Sequence, residues 1–219
     1  MKISKYIHSC ILWEEGEIKI LFDPGLFSFM EGKVRPEDFS GLSAVIITHT
    51  HKDHVDIAAL QTILERNNAA VLCNADVAHV LGVEGISAEI LEDEVRSVGT
   101  VSVRAIFAEH ENLIVEKPHN TAFLVNSSFL HPGDSLSSAL YAHSGVKVLA
   151  LPITAPWADQ TRIAAFAEAM KPQIVVPIHD GYVKDFFRDG QYENYKNYFS
   201  EHEIIFQPLK EPGEFVELR

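Results

Sequence analysis

Cysteine is scarce in this chain: Cys10 and Cys73 are the only two among 219 residues. They show no CxxC spacing and cannot form a multi-bridge framework, which excludes a disulfide scaffold and a zinc ribbon. Long apolar runs are missing as well. The longest charge-free apolar stretch, residues 148–158, contains Pro152 and Pro156 and falls far short of the ~20 residues a membrane span requires. The opening Met1-Lys2-Ile3-Ser4-Lys5 is interrupted by His8 and then by Glu14-Glu15, so no secretory signal is read there, and a cytoplasmic location is expected. Positive charge is also short, with 18 Lys and Arg against 31 Asp and Glu and a net charge of −13. Such a surface repels phosphate backbones and argues against nucleic-acid binding. Neither a GxSxG elbow nor a GxxxxGK[ST] loop occurs, so serine-hydrolase and P-loop chemistry lack their parts.

What is present is a globular composition, 47% hydrophobic and 22% charged, with no repeat, linker or composition break. One domain over residues 1–219 is expected. Strands are expected at 3–7, 10–13 and 17–22, with a turn at Glu14-Glu15-Gly16. Further strands are read at 44–48, 70–73, 98–108, 121–131, 148–151, 174–178, 203–206 and 214–218. Residues 26–39 are read as a loop. Ile57, Leu60 and Leu64 mark one helix face, Ile163, Phe166, Ala167 and Met170 another, and shorter or weaker helical signals cover 76–81 and 182–199. Early strands with helices interleaved throughout suggest sheet layers covered by helices.

Histidine is in surplus, at eleven, and its placement is uneven. Directly after the buried AVIIT run comes His49-Thr50-His51-Lys52-Asp53-His54. Imidazole mixed with carboxylate suits Zn²⁺, Mn²⁺ or Fe²⁺ better than Ca²⁺ or Mg²⁺. In extended chain His49 and His51 point the same way, while Asp53 and His54 fall at the turn into the next helix, aimed at a second point. The spacing implies two divalent ions.

This stretch resembles the metallo-β-lactamase superfamily, whose defining motif is HxHxDH. Asp23 in Leu21-Phe22-Asp23-Pro24-Gly25, His110 after its strand, Asp134 in Gly133-Asp134-Ser135 and His179 in Val176-Pro177-Ile178-His179 match the remaining motifs in order. The opening Ile7-His8-Ser9-Cys10 and the closing VVPIH look most like the branch holding ascorbate-6-phosphate lactonase and small metal-dependent hydrolases. The resemblance implies an α/β fold of four layers, an αββα sandwich with two mixed sheets. It also implies one metal site of His49, His51 and His110, a second of Asp53, His54 and His179, and Asp134 bridging them. The ions, Zn²⁺ first and Mn²⁺ or Fe²⁺ as alternatives, would acidify a shared water and polarise the scissile group. The expected function is hydrolysis of a small-molecule ester, lactone or phosphoester, with Asp53 and Asp134 as catalytic carboxylates and His119 as a further acid candidate.

Some positions stay open. His119 competes with His110 as the third-motif ligand, with His110 preferred because it directly ends its strand. His8 is expected to be structural, or else to serve the substrate or a ligand, and His131 to support the site or sit in the core. Residues 26–30 either overhang the site or are buried. Pro156-Trp157 and Asp180-Gly181-Tyr182 are candidate pocket walls, and Lys52, Lys117 and Lys184 are the cations nearest the motifs. Tyr192, Tyr195 and Tyr198-Phe199 read as core. The competing functions are a non-catalytic metal-binding or ligand-sensing protein and, less favoured, a nuclease. Only 24 positions separate His110 from Asp134 and 40 follow His179, which leaves little room for the inserted domain of the superfamily's RNA-processing members. The sequence carries no signal for oligomeric state.

Overall fold

A computed structural model describes residues 1–218. Two seven-stranded mixed sheets face each other between layers of helix, the expected αββα sandwich. The first sheet contains β1 (Lys2–Lys5), β2 (Ile11–Glu15), β3 (Ile18–Phe22), β4 (Ala44–Ile47), β5 (Ala70–Cys73), β6 (Glu89–Ile90) and β14 (Phe215–Glu217). Its spatial order is β14-β1-β2-β3-β4-β5-β6. The second contains β7 (Val95–Val98), β8 (Val101–Phe107), β9 (Thr121–Val125), β10 (Phe129–His131), β11 (Val148–Pro152), β12 (Ile174–Ile178) and β13 (Ile205–Phe206). Its order is β13-β12-β11-β10-β9-β8-β7.

Three apolar layers hold the sandwich. Between the sheets, Trp13, Phe22 and Ile46 meet Phe123, Phe129 and Val176. Outside the first sheet, helices α1 (Leu26–Phe29), α2 (Ile57–Arg66) and α3 (Ala75–Val83) cover Val45, Ile47 and Val71, with Leu60, Ile63, Val77 and Leu81 turned inward. Outside the second, α4 (Gln160–Met170) and α5 (Asp185–Ser200) present Phe166, Met170, Tyr195 and Phe199 to Leu149 and Val175. Strands buried on both faces, such as β4 and β12, read as unbroken apolar runs for that reason.

Strand direction places the functional loops. β3, β4 and β5 run parallel, and β1 runs parallel to β3 because both are antiparallel to β2. In the other sheet β10, β11 and β12 are parallel, and β8 shares their direction through β9. The carboxyl ends of all these strands therefore lie on one rim, where open sheets of this kind place their ligand sites.

Several boundaries differ from expectation. The run 98–108 holds β8, and a strand not expected, β7, precedes it across a turn at Gly99, whose φ of +58° favours glycine. The run 121–131 folds back at Asn126 and Ser127, both at positive φ. A bend of that kind breaks an apolar alternation without breaking its period, so the sequence pattern reads straight through it. Residues 26–39 hold the short α1 and a 3₁₀ turn at Pro36–Asp38 rather than an open loop. The last helix starts at Asp185, three residues later than read.

Candidate metal centre

Asp23, at the end of β3, is fully buried and has φ +44°. It accepts hydrogen bonds from the Thr48 amide (2.8 Å), the Thr48 hydroxyl (2.8 Å) and His54 Nδ1 (2.7 Å). One carboxylate thus ties the β3 and β4 ends to the histidine turn. Two asparagines that sequence reading passed over complete the frame. Asn74 at the end of β5 donates to the carbonyls of Thr48 and His119 and caps α3. Asn120 donates to the carbonyls of Ala108 and Pro132 and accepts the Asp134 amide. Their only sequence signal was a short polar residue beside an apolar strand, Asn74 directly after β5 and Asn120 directly before β9.

The ring nitrogens are sorted by these partners. Carbonyl oxygens only accept, so His110 Nδ1 donates to the Glu111 carbonyl (2.7 Å) and His179 Nδ1 to the Thr154 carbonyl. His54 Nδ1 is committed to Asp23, and His49 Nδ1 donates to the Thr48 hydroxyl (3.0 Å), whose own proton goes to Asp23. In its neutral form each of these four rings therefore keeps Nε2 bare. All four Nε2 atoms face Asp134: His54 and His179 at 3.2 Å, His110 at 3.5 Å and His49 at 3.9 Å. His51 Nδ1 lies 3.1 Å from His49 Nε2.

Two groups of potential ligand atoms result, each within 4.8 Å: His49, His51, His110 and Asp134, and beside it His8, Asp53, His54 and His179. Buried His54 Nε2, His110 Nε2 and Asp134 Oδ1 have no hydrogen-bond partner. Orphaned lone pairs at the heart of a nitrogen and oxygen cluster are costly unless a cation takes them, and the donor set fits divalent first-row ions.

His8 belongs to this cluster by position but not by chemistry. Its Nδ1 accepts the Gly181 amide proton (3.0 Å), so the neutral ring carries its own proton on Nε2, 3.1 Å from Asp53 Oδ2. Burial holds its pKa down at about 4. A protonated nitrogen has no lone pair for an ion, so His8 orients Asp53 instead. It arrives here because β1 runs parallel to β3.

Electrostatics separates the remaining groups. Burial pushes His49 well below the usual histidine range and also lowers His51. Burial opposes charge on His54 too, yet Asp134 and Asp23 overcome it and raise this group to about 10. His179 is raised well above normal against burial by Asp134 and Asp53. Burial alone would raise the pKa of Asp53 and Asp134. For Asp53 the hydrogen bonds from His179 and His8, and for Asp134 the charges of His179 and His54, win and hold both carboxyls far below the carboxylate range.

His119 is not brought to this cluster. Its ring packs on Phe107 at 5.3 Å and its Nδ1 lies 3.7 Å from Glu92. The Asn74 side chain holds the His119 carbonyl, which directs this segment toward the outer edge of the first sheet, and the acid role expected of His119 finds no support in that position. His131 is buried, stacked on Phe22 at 5.4 Å, and its Nε2 donates to the Ser9 carbonyl. The turn after His179 is anchored by Asp180, which accepts from buried Lys5 (2.6 Å) and from the Tyr192 hydroxyl.

Two facing sheets between helices, with a histidine–aspartate cluster on their common carboxyl rim, define the metallo-β-lactamase fold. The β-lactamase superfamily domain matches residues 2–179, and the chain belongs to that superfamily. It is similar to a UPF0173 metal-dependent hydrolase of Rhizobium leguminosarum, 30% identical over 185 residues covering 82% of this chain and 74% of the relative, and it belongs to that family. Protein Rv0786c of Mycobacterium tuberculosis is 38% identical over 192 residues, covering 84% of this chain and 85% of the relative. Among solved structures, a metallo hydrolase from the archaeon Ignicoccus hospitalis superposes with a TM-score of 0.73 at 20% identity, covering 100% of this chain and 99% of the other.

Proposed function

We propose that the chain hydrolyses a small ester, lactone or phosphoester with two divalent ions, Zn²⁺ first among candidates, in the manner of the ascorbate-6-phosphate lactonase-like branch of its superfamily. His49, His51 and His110 would hold one ion, Asp53, His54 and His179 the other, with Asp134 between them. The supporting observation is the convergence of four Nε2 atoms on one buried carboxylate, three of the cluster's polar atoms being without any hydrogen-bond partner. Bound there, such ions supply electrophilic polarisation of a scissile group and acidify water.

The chain's own residues do the positioning. Asp53 and Asp134 stay ionised through the ordinary pH range, so they act as fixed negative charge rather than as acids. His8 keeps its proton on Nε2 against Asp53 Oδ2 and fixes that carboxylate's rotation. Thr154 and His179 are bound reciprocally, the hydroxyl of one to the carbonyl of the other and the ring of that residue back to the first carbonyl. That pairing aims His179 Nε2 inward at a backbone φ of +62°.

The test is elemental analysis of the purified protein followed by assay on chromogenic ester, lactone and phosphodiester panels with Zn²⁺ or Mn²⁺ restored. Asp134→Ala is expected to release metal and abolish turnover. Retention of both would overturn the assignment.

A further inference from the structure

The cluster forms the floor of an open cavity of about 670 Å³. A volume of that order accommodates a drug-sized ligand. The walls above the floor are apolar: Phe27, Leu113, Ile153, Trp157, Val183 and Phe187. Trp157 reaches down to the ligand rings, 6.4 Å from His110 and 5.9 Å from His179. On the opposite side Phe27 lies 5.1 Å from His8. Even Tyr182 contributes ring rather than hydroxyl, since its hydroxyl is spent on the Thr154 carbonyl (2.8 Å). The mouth continues the theme, with Phe187 46% exposed and Ile114, next to Leu113, fully exposed.

No Lys or Arg lines this cavity among the described residues; its charged side chains besides the histidines are Asp53, Asp134 and Asp159. Asp159 is occupied in capping α4 through the Arg162 amide. Lys184, the residue after Val183, lines the neighbouring cleft and not this cavity, and most other nearby cations are paired. Lys117 pairs with Glu109 at 2.5 Å. In the neighbouring cleft beyond Tyr182, Arg188 pairs with Asp185, Lys210 with Asp189 and Lys33 with Glu31. A phosphoester or other anionic substrate would leave its charge to the ions alone, between aromatic walls and inside an acidic protein. Neutral molecules with a hydrophobic body face no such penalty and gain from every apolar group they bury.

We infer that the molecule taken up here is neutral and carries an aryl or medium-length alkyl body, so that within the hydrolase reading on which this rests the substrate is a carboxylic ester or lactone and not a phosphoester. The body lies between Phe27 and Trp157 while the scissile carbonyl reaches the floor. Trp157 and Phe187 then set specificity through buried area.

The experiment uses metal-loaded protein and two readouts. The first is kcat/KM for p-nitrophenyl esters from acetate to octanoate, beside p-nitrophenyl phosphate and bis(p-nitrophenyl) phosphate. The second is the fluorescence of the neutral probe N-phenyl-1-naphthylamine, which reports an apolar cavity without any turnover. The expected result is a rise in kcat/KM of up to about fourfold per added methylene until the cavity fills, negligible phosphate hydrolysis, and brightening of the probe. Trp157→Ser flattens the chain-length dependence and weakens probe uptake. Phe187→Ser, at a partly exposed position, does the same to a smaller degree and guards against a folding defect in the first variant. Preferred turnover of either phosphate with a flat ester series and no probe uptake overturns the inference while leaving the hydrolase reading intact. Probe uptake sensitive to Trp157 with no turnover of any panel member supports the apolar site and overturns the hydrolase reading.

Discussion

Gly25→Ala provides a demanding test of how backbone contact builds this centre. Gly25 has φ −90° and ψ 170°, a conformation any residue adopts, so no dihedral strain enters. Space alone forbids a side chain. A Cβ would stand 1.9 Å from the Asp53 carbonyl oxygen, 2.1 Å from its carbon and 2.5 Å from the His54 nitrogen. Clearing even the closest tolerated approach requires the two backbones to separate by more than ~1 Å, beyond what packed elements absorb without cost. They cannot slide apart freely. The Leu26 amide donates to the Lys52 carbonyl at 2.7 Å and the Asp56 amide to the Pro24 carbonyl at 3.0 Å, sewing the two turns together on both sides of the clash. The displacement therefore falls on Asp53 and His54, while His49, His51 and His110 hang from other anchors. Overpacking of this kind costs on the order of 1–3 kcal/mol, a fall in Tm of roughly 2–4 °C per kcal/mol for a chain of this size. A misplacement of ~1 Å at reacting groups costs about a hundredfold in rate. Elemental analysis is expected to find about one equivalent of metal where the proposed two-ion centre of the parent protein would give two. Gly82→Ala is the control, since that helical glycine has open space around its Cβ position and alanine there should be neutral or stabilising by up to ~1 kcal/mol. Two full equivalents and an unchanged Tm in Gly25→Ala would refute the reasoning.

Other outcomes follow from the same geometry. His8→Ala should keep both ions but bind the one beside Asp53 about 10–100-fold more weakly; outright loss of one equivalent at saturating metal would show that His8 is itself a ligand. Lys5→Met leaves the buried Asp180 carboxylate without its cation and should cost about 3–5 kcal/mol in denaturant unfolding, so a loss under ~1 kcal/mol would contradict the anchoring role. Burial lowers the His131 pKa below 6.5, so the unfolded chain takes up that proton first as the solution is acidified. Its share of stability is present above pH 6.5 and lost as the pH falls below it. His131→Asn should flatten the dependence of unfolding free energy on pH below 6.5 by up to one proton, or ~1.4 kcal/mol per pH unit, when both proteins are measured under the same metal conditions. Cys73 is pushed up to about 12 by burial, and Cys10 is raised further by the same cause. Both thiols should therefore ignore Ellman's reagent at pH 8 until the protein unfolds.

The sandwich and much of its centre were legible in the linear pattern. Apolar runs such as 44–48 and 174–178 announce strands covered on both faces, and a polar ligand immediately after each one announces a rim. The dense His49–His54 stretch is local, so its members meet wherever the chain goes. His110 was preferred to His119 because it stands nearer the end of its strand, and the structure turns its Nε2 toward Asp134. The hairpin at Asn126 was missed because a reversal preserves alternation, and β7 because Val95-Arg96-Ser97-Val98 is short and carries only two apolar residues. Support of a ligand by His8 was left open beside a structural role, because the choice depends on which way β1 runs.

Residue order by itself marked the dense His49–His54 stretch as ion-binding, since that follows from chemistry within a few positions, while His110, Asp134 and His179 joined it through the family resemblance. Tertiary structure alone decided which nitrogen of each ring is bare, because that turns on carbonyls and carboxylates contributed from distant strands. It likewise decided what surrounds the ions. The apolar walls come from loops after β3, β8, β11 and β12, some of them marked in sequence as candidate walls, and they meet only because those strands end on the same side.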